Sequence, residues 1–194
     1  MAKPRPVTGI DPSRRVRPNA RRILATRIDE VYQYDGLVAN PANITDLHNL
    51  RIAFKRLRYL LEIFDAAFDA DLEPFLEQVK AMQDLLGDIH DCDVQVPMLE
   101  AHLAWLERQE ATSVERMLTS QRRSAGAEDQ DVALERFRSR LDAARRTDER
   151  PGIHTLIAMR RAQRIALYAR FTSEWRRLKH ERFRQHLEHA LGIK

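Results

Sequence analysis

Cysteine is nearly missing from this chain. A single one, Cys92, stands among 194 residues, which excludes an internal disulfide framework and a multi-cysteine metal site and fits a reducing compartment. Long apolar runs are missing too: no stretch approaches the roughly 20 residues that span a bilayer, and the amino-terminal residues lack the apolar core of a signal peptide. Neither membrane insertion nor secretion is expected, and cytoplasm is the default location. Trp, Tyr, Phe and β-branched residues rarely alternate in the period-two manner of strands. Leu, Ala, Arg and Glu dominate most windows instead, so helix is favoured throughout and no strand is read.

A hydrophobic content of 43% over this length is enough for one respectable core, and a single domain is expected. The net charge of +4 hides sign changes along the chain. Twelve basic and five acidic residues put residues 1–60 at +7, two basic and fourteen acidic put 61–115 at −12, and nineteen basic and ten acidic put 116–194 at +9. A fold that joins the two ends would concentrate positive potential, and the acidic block would not line the same groove. Arg makes up 28 of the 33 basic residues. That bias suits forked recognition of phosphate oxygens, and a genome rich in G and C produces it equally well.

Residues 1–17 carry Pro4, Pro6, Pro12 and five basic residues, and little to bury, so they read as a flexible basic arm preceding a helical domain over 18–194. A first helix runs from Pro18 to about Val38, with Ile23, Leu24, Ile28, Val31 and Tyr32. After Pro41, Asn43 or Thr45 caps a second helix reaching about Phe68. A third turns Leu72, Phe75, Leu76, Val79, Met82 and Leu86 inward and ends at Gly87. A fourth starts at Asp88 with Asp91 near its first turn, and Pro97 predicts a kink before Leu99, Leu103 and Leu106. Residues 121–130 read as a surface loop. A fifth helix covers about 132–146, Pro151-Gly152 separates it from a long sixth with Ile153, Leu156, Ile165, Phe171 and Trp175, and a last helix covers 180–191. Trp105 and Trp175 fall in apolar register as core residues, as does Cys92.

The second helix divides its residues by charge. At 100° per residue, Arg51, Lys55, Arg58, Tyr59 and Glu62 fall within about 80° of His48, while Leu50, Ala53, Leu57, Leu60 and Phe64 cluster opposite. From His48 to Arg58 the stripe is roughly 15 Å long, which suits a row of anionic groups better than one small ion. A solvated helix face is usually laced with opposite charges at three- and four-residue spacing. From Leu47 through Leu61 there is no acid at all, and His48, Arg51, Lys55, Arg56 and Arg58 stay uncompensated, so this stripe points to a polyanion.

The pattern Leu47-His48-x-Leu50-Arg51-Ile52-x-x-Lys55-Arg56-Leu57-Arg58-Tyr59-x-x-Glu62 resembles the signature helix of CHAD domains, the conserved-histidine α-helical domains. Met82-Gln83-x-Leu85-Leu86-Gly87-Asp88-Ile89-x-Asp91 resembles that family's second signature, in the right order and at the right distance. The resemblance covers residues 45–105 well. It implies an all-α fold, an antiparallel bundle of about six to seven helices around a basic groove that binds inorganic polyphosphate without catalysing its turnover. Carried over by position, His48, Arg51, Lys55 and Arg58 line that groove, Arg56 flanks it, and Tyr59 places its ring against the helix with the hydroxyl at the rim. Polyphosphate granules are the location it implies.

The family usually carries two copies of this signature, and the second half of this chain has no faithful one. Its nearest counterpart is Ile153-His154-Thr155-Leu156-x-x-x-Arg160-Arg161-x-x-Arg164, from which a groove-lining role passes to Arg160, Arg161 and Arg164. No cofactor or catalytic residue is expected. Nucleic acid is the alternative ligand, supported by the Arg-rich arm and both basic ends, and a metal-dependent phosphohydrolase is a third reading. His90-Asp91-Cys92-Asp93 invites such a metal, but Val94 stands where a second His at i+4 would be and helix capping explains the acids. His102, His154, His180, His186 and His189 share no site-forming spacing. Oligomeric state is left open by the sequence.

Overall fold

The computed structural model describes residues 3–13, 15–124, 130–146 and 148–193. Among them the chain is all-α: α1 Val16–Tyr32, α2 Ile44–Phe64, α3 Glu73–Ser124, α4 Gln130–Arg146, α5 Arg150–His180 and α6 Phe183–Leu191, with single 3-10 turns at Leu37–Ala39 and Asp65–Ala67. No helix of the described residues is long and apolar enough to cross a membrane.

Helix α1 starts inside the stretch expected as an arm and stops six residues before Val38. Beyond Tyr32 the chain tightens into turns, Tyr34 N–H to the Val31 carbonyl and Asp35 N–H to that of Tyr32. These turns place the Asp35 carboxylate where it accepts hydrogen bonds of 2.7 Å from both Trp175 Nε1 and Lys179 Nζ of α5. Ahead of the helix, Asn19 Nδ2 donates to the Asp11 carbonyl at 2.7 Å, and the Arg5 N–H donates to Glu30. Asn43 does sit at the α2 N-cap, yet its amide donates to the Leu37 carbonyl at 2.7 Å instead of capping the helix.

The expected break at Gly87 is absent, and α3 runs unbroken for 52 residues. A glycine inside a helix costs about 1 kcal/mol relative to alanine. Burial of Leu85, Leu86, Ile89 and Cys92 around it is worth several times that at roughly 1.5–3 kcal/mol for a large apolar side chain. Helix α3 also takes in 121–124, which the sequence assigns to a loop; residues 125–129 of that loop lie outside the described residues. Pro151 and Gly152 likewise sit within the first turn of α5, where a missing N–H has no intrahelical acceptor to lose, and the Asp148 carboxylate accepts the Arg150 N–H at 3.1 Å.

The chain divides into two compact units, Met1–Asp93 with Gln163–Lys194, and Val94–Ala162. The division falls at the residue whose carbonyl would accept the N–H of position 97, a group that Pro97 lacks. The first unit holds the main core, in which Leu24, Ile28, Leu50, Phe54, Leu57, Leu61, Leu72, Val79, Leu86, Phe171, Leu178 and Leu187 are buried. Helix α1 packs on α2, Phe75 meets Phe183 at 5.8 Å between ring centroids, and Trp175 lies against Tyr32 and Phe54. The carboxy-terminal segment is therefore part of the same core as residues 16–93.

In the second unit Ile153 and Ile157 are the buried apolar residues among those described. Trp105 belongs to this unit and, against expectation, is 48% exposed, stacked on His102 at 5.6 Å. Apolar register places a residue on a face, but burial needs a packing partner over that face, and Val94 and Met98 on the same helix are exposed as well. Leu156 and, in the first unit, Ile165 are exposed too, against the expectation from their spacing.

Candidate functional site

Helix α2 folds as an amphipathic rod whose Leu47, Leu50, Ala53, Phe54, Leu57 and Leu61 are buried. The opposite row, His48, Arg51, Lys55 and Arg58, stays half-buried, and Tyr59 is exposed. Tyr59 orders the end of the row: Lys55 Nζ lies 5.7 Å and Arg58 Cζ 4.9 Å from the centroid of its ring, so the electron-rich face holds two cations that would otherwise repel.

Two of these arginines have unused donors. Arg51 Nε and Arg58 Nε are buried and make no hydrogen bond among the described residues. Arg58 Nε does lie 3.1 Å from Glu62 Oε1, close enough to offset charge, but the N–H is not directed at the oxygen. Leaving a buried donor unmet costs roughly 1–3 kcal/mol. Gln83 Oε1 on α3 is a third buried atom without a partner.

His48 Nδ1 is 3.3 Å from His90 Nδ1, with the rings 4.5 Å apart and tilted by 42°. This contact fixes the helix pair. From His48 to the end of α2 is about 24 Å and from the start of α3 to His90 about 26 Å, so two helices joined by residues 65–72 and touching again at His48 and His90 run antiparallel. Gln83, two turns before His90 on the same face of α3, is thus carried toward the Lys55 level of α2. Burial holds the His48 pKa below the ordinary histidine range, and the positive charge of Arg51, with that of His90 when it is protonated, acts in the same direction.

His90 enters the site from the block that carries −12. Its neighbours Glu77, Asp84 and Asp88 point 120–160° away from it at 100° per residue, and all three are exposed. Averaging charge over a window hides this, because a helix presents one face at a time. Asp93, one turn past His90, is engaged by Arg164 Nε, and Arg164 also donates to the Pro41 carbonyl at 2.7 Å. Arg164 therefore stands near the His48 end of the row with its charge already met by a carboxylate.

Arg56 is 4.0 Å from the buried Glu30 of α1. Arg161 pairs with Glu100, and both it and Arg160 belong to the second unit. The structure thus gathers His48, Arg51, Lys55, Arg58 and Tyr59 with His90, and leads Arg56 and Arg161 to acidic partners. The sequence signal for His90 is the helix face it shares with Gln83 at a seven-residue spacing, a signal masked by the acids Asp88, Asp91 and Asp93 that surround it along the chain. No group of three or more His, Cys, Asp or Glu that could hold a metal ion occurs among the described residues.

The fold and the site define an all-α domain whose second helix carries a cationic row with a single carboxylate, Glu62, at its end. The CHAD domain family matches residues 2–100, half of the chain and both signature segments, and the chain belongs to that family. Nothing matches it among curated proteins or among solved structures. The matched residues end shortly after the first unit's α3 segment, so Phe171, Trp175, Leu178 and Leu187, which complete that unit's core, lie beyond them.

Proposed function

We propose that the chain binds inorganic polyphosphate, without turning it over, along the row His48, Arg51, Lys55, Arg58 and Tyr59, with Arg164 flanking it. The observation that carries this reading is the pair of buried, unpartnered donors at Arg51 Nε and Arg58 Nε. Phosphate oxygens satisfy guanidinium N–H groups with charge-assisted hydrogen bonds roughly twice as strong as neutral ones. A linear polyanion also meets the row along its full length of about 15 Å, where a single ion would leave most of it unmet. The only carboxylate on the row is Glu62, already beside Arg58, so the row offers affinity for phosphate and no general base poised for hydrolysis. A cytoplasmic place of action beside polyphosphate granules accords with this reading.

Replacing Arg51, Lys55 and Arg58 together by Ala tests it. The expected result is loss of most polyphosphate affinity with the helical circular dichroism intact; unchanged affinity overturns the reading. Binding should also fall with added salt, with a slope of log K against log salt of roughly −3 if four cations displace condensed counterions. Nucleic acid that displaces polyphosphate at equal phosphate concentration would favour the basic-end reading instead.

A further inference from the structure

We propose that His90 is a second imidazole of this anion site, and that the His48–His90 pair couples polyanion binding to uptake of a single proton. The inference rests on the polyphosphate reading above and adds its regulation by pH. Its basis is the Nδ1 to Nδ1 contact of 3.3 Å between residues on two different helices.

A hydrogen bond between two Nδ1 atoms needs one with a hydrogen and one without. In the neutral pair the donor ring is therefore the Nδ1–H tautomer, with Nε2 bare, and the acceptor ring is the Nε2–H tautomer. The outer edge of the pair then offers one acceptor and one donor. A proton taken up at the bare Nε2 leaves the internal hydrogen bond in place. It converts the outer edge to two N–H donors and gives the pair one positive charge. A second proton would have to enter at the shared Nδ1 position, where two N–H groups would meet head to head at 3.3 Å. The pair thus has a chemical stop after one proton, and its singly charged form is the one matched to anionic oxygen.

The surroundings keep that proton off until an anion arrives. Burial acts first against a charge on His48, the guanidinium of Arg51 one turn along α2 adds a positive field, and a proton on His90 across the contact would add another. On α3, Gly87 contributes no side chain one turn before His90, Asp84 and Asp88 lie on another face, and Asp93 is taken by Arg164 of α5. On α2, Asp46 lies about 160° from His48. A chain of phosphates laid on Arg51, Lys55 and Arg58 brings the negative charge that this environment lacks, and proton uptake follows by linkage.

The experiment is calorimetric titration of the whole chain with long-chain polyphosphate, whose ionisable ends are few. It is run between pH 6 and 8 in buffers of different ionisation enthalpy, so that protons taken up per bound chain segment are counted. Wild-type protein should take up between zero and one proton per site, with affinity rising toward acid at a limiting slope of no more than tenfold per pH unit. His90→Gln and His48→Gln should each lower affinity at pH 6 more than at pH 8 and change the proton count. The double variant should bind with pH-independent affinity and no uptake.

Binding without uptake in the wild type, uptake above one proton, or an unchanged proton count in both single variants each overturns the coupling while leaving the polyphosphate reading standing. Absence of wild-type binding at any pH removes that reading itself. Both rings are only half-buried and Gln keeps a donor and an acceptor, so the variants remain folded well enough to titrate, which circular dichroism verifies.

Discussion

Arg27 NH1 lies 2.5 Å from Glu30 Oε1, one turn further along α1, with side chains only 8% and 3% exposed. This ion pair is the buried node of the first unit, since the Arg5 N–H also donates to Glu30, Arg27 NH2 donates to the Arg5 carbonyl at 2.8 Å, and Arg56 approaches the second carboxylate oxygen. Removing one member of a buried pair strands the other charge, at a cost of about 3–5 kcal/mol. Glu30→Ala should therefore destabilise by that order in urea unfolding. Arg27→Leu combined with Glu30→Leu should recover part of the loss, because no charge is left stranded.

Gly87 offers a stabilising change. A Cβ built there meets no atom within 4 Å, and the residue is helical, so Gly87→Ala should raise stability by about 0.5–1 kcal/mol through lower backbone entropy in the unfolded chain. The melting temperature reads this directly. A lower value would show that α3 does not run as a regular helix through residue 87.

Asp35 ties the turn after α1 to α5. Partial burial opposes its ionisation, but the donors Lys179 Nζ and Trp175 Nε1 outweigh that and hold the carboxyl below the usual aspartate range. A depressed folded pKa means stability present above the unfolded value near 3.9 and lost as pH falls through the folded one. Asp35→Asn should reduce stability at pH 7 by about 1 kcal/mol, the scale of a partly exposed charged hydrogen bond. Unfolding curves from pH 7 to 3 should show a smaller acid-induced loss in the variant than in the wild type.

His48 has the corresponding depressed value for a base. Between its folded pKa and the unfolded value near 6.5 the unfolded chain binds more protons, so stability contributed by neutral His48 is complete above about pH 7 and declines toward the folded value. Without polyphosphate, the melting temperature should fall on acidification through this range, and His48→Gln should flatten that slope. Saturating polyphosphate should reduce the decline, since bound anion favours the protonated ring.

Tyr59 contributes its ring face more than its hydroxyl. Losing cation–π contacts at an exposed site costs about 0.5–1 kcal/mol, so Tyr59→Leu should weaken polyphosphate binding about two- to fivefold. Tyr59→Phe should bind like the wild type. Equal loss in both variants would assign the effect to the hydroxyl.

The amino-acid sequence by itself determined the helical class, the apolar faces of α1, α2 and the first half of α3, and the row from His48 to Arg58. These are local matters of 3.6-residue periodicity and of charge on one helix. Helix ends were less legible. Gly87 reads as a stop because glycine weakens a helix, and only the burial of its neighbours carries α3 past it; the turn after Tyr32 exists because Asp35 finds partners 140 and 144 residues away. Tertiary structure alone decided which cations stay available. Arg56 meets Glu30, Arg161 meets Glu100 and Arg164 meets Asp93, pairings set by which faces pack and not by spacing along the chain. It also brought His90 to His48 across 42 residues, because the antiparallel return of α3 aligns one face of an otherwise acidic segment with the cationic face of α2.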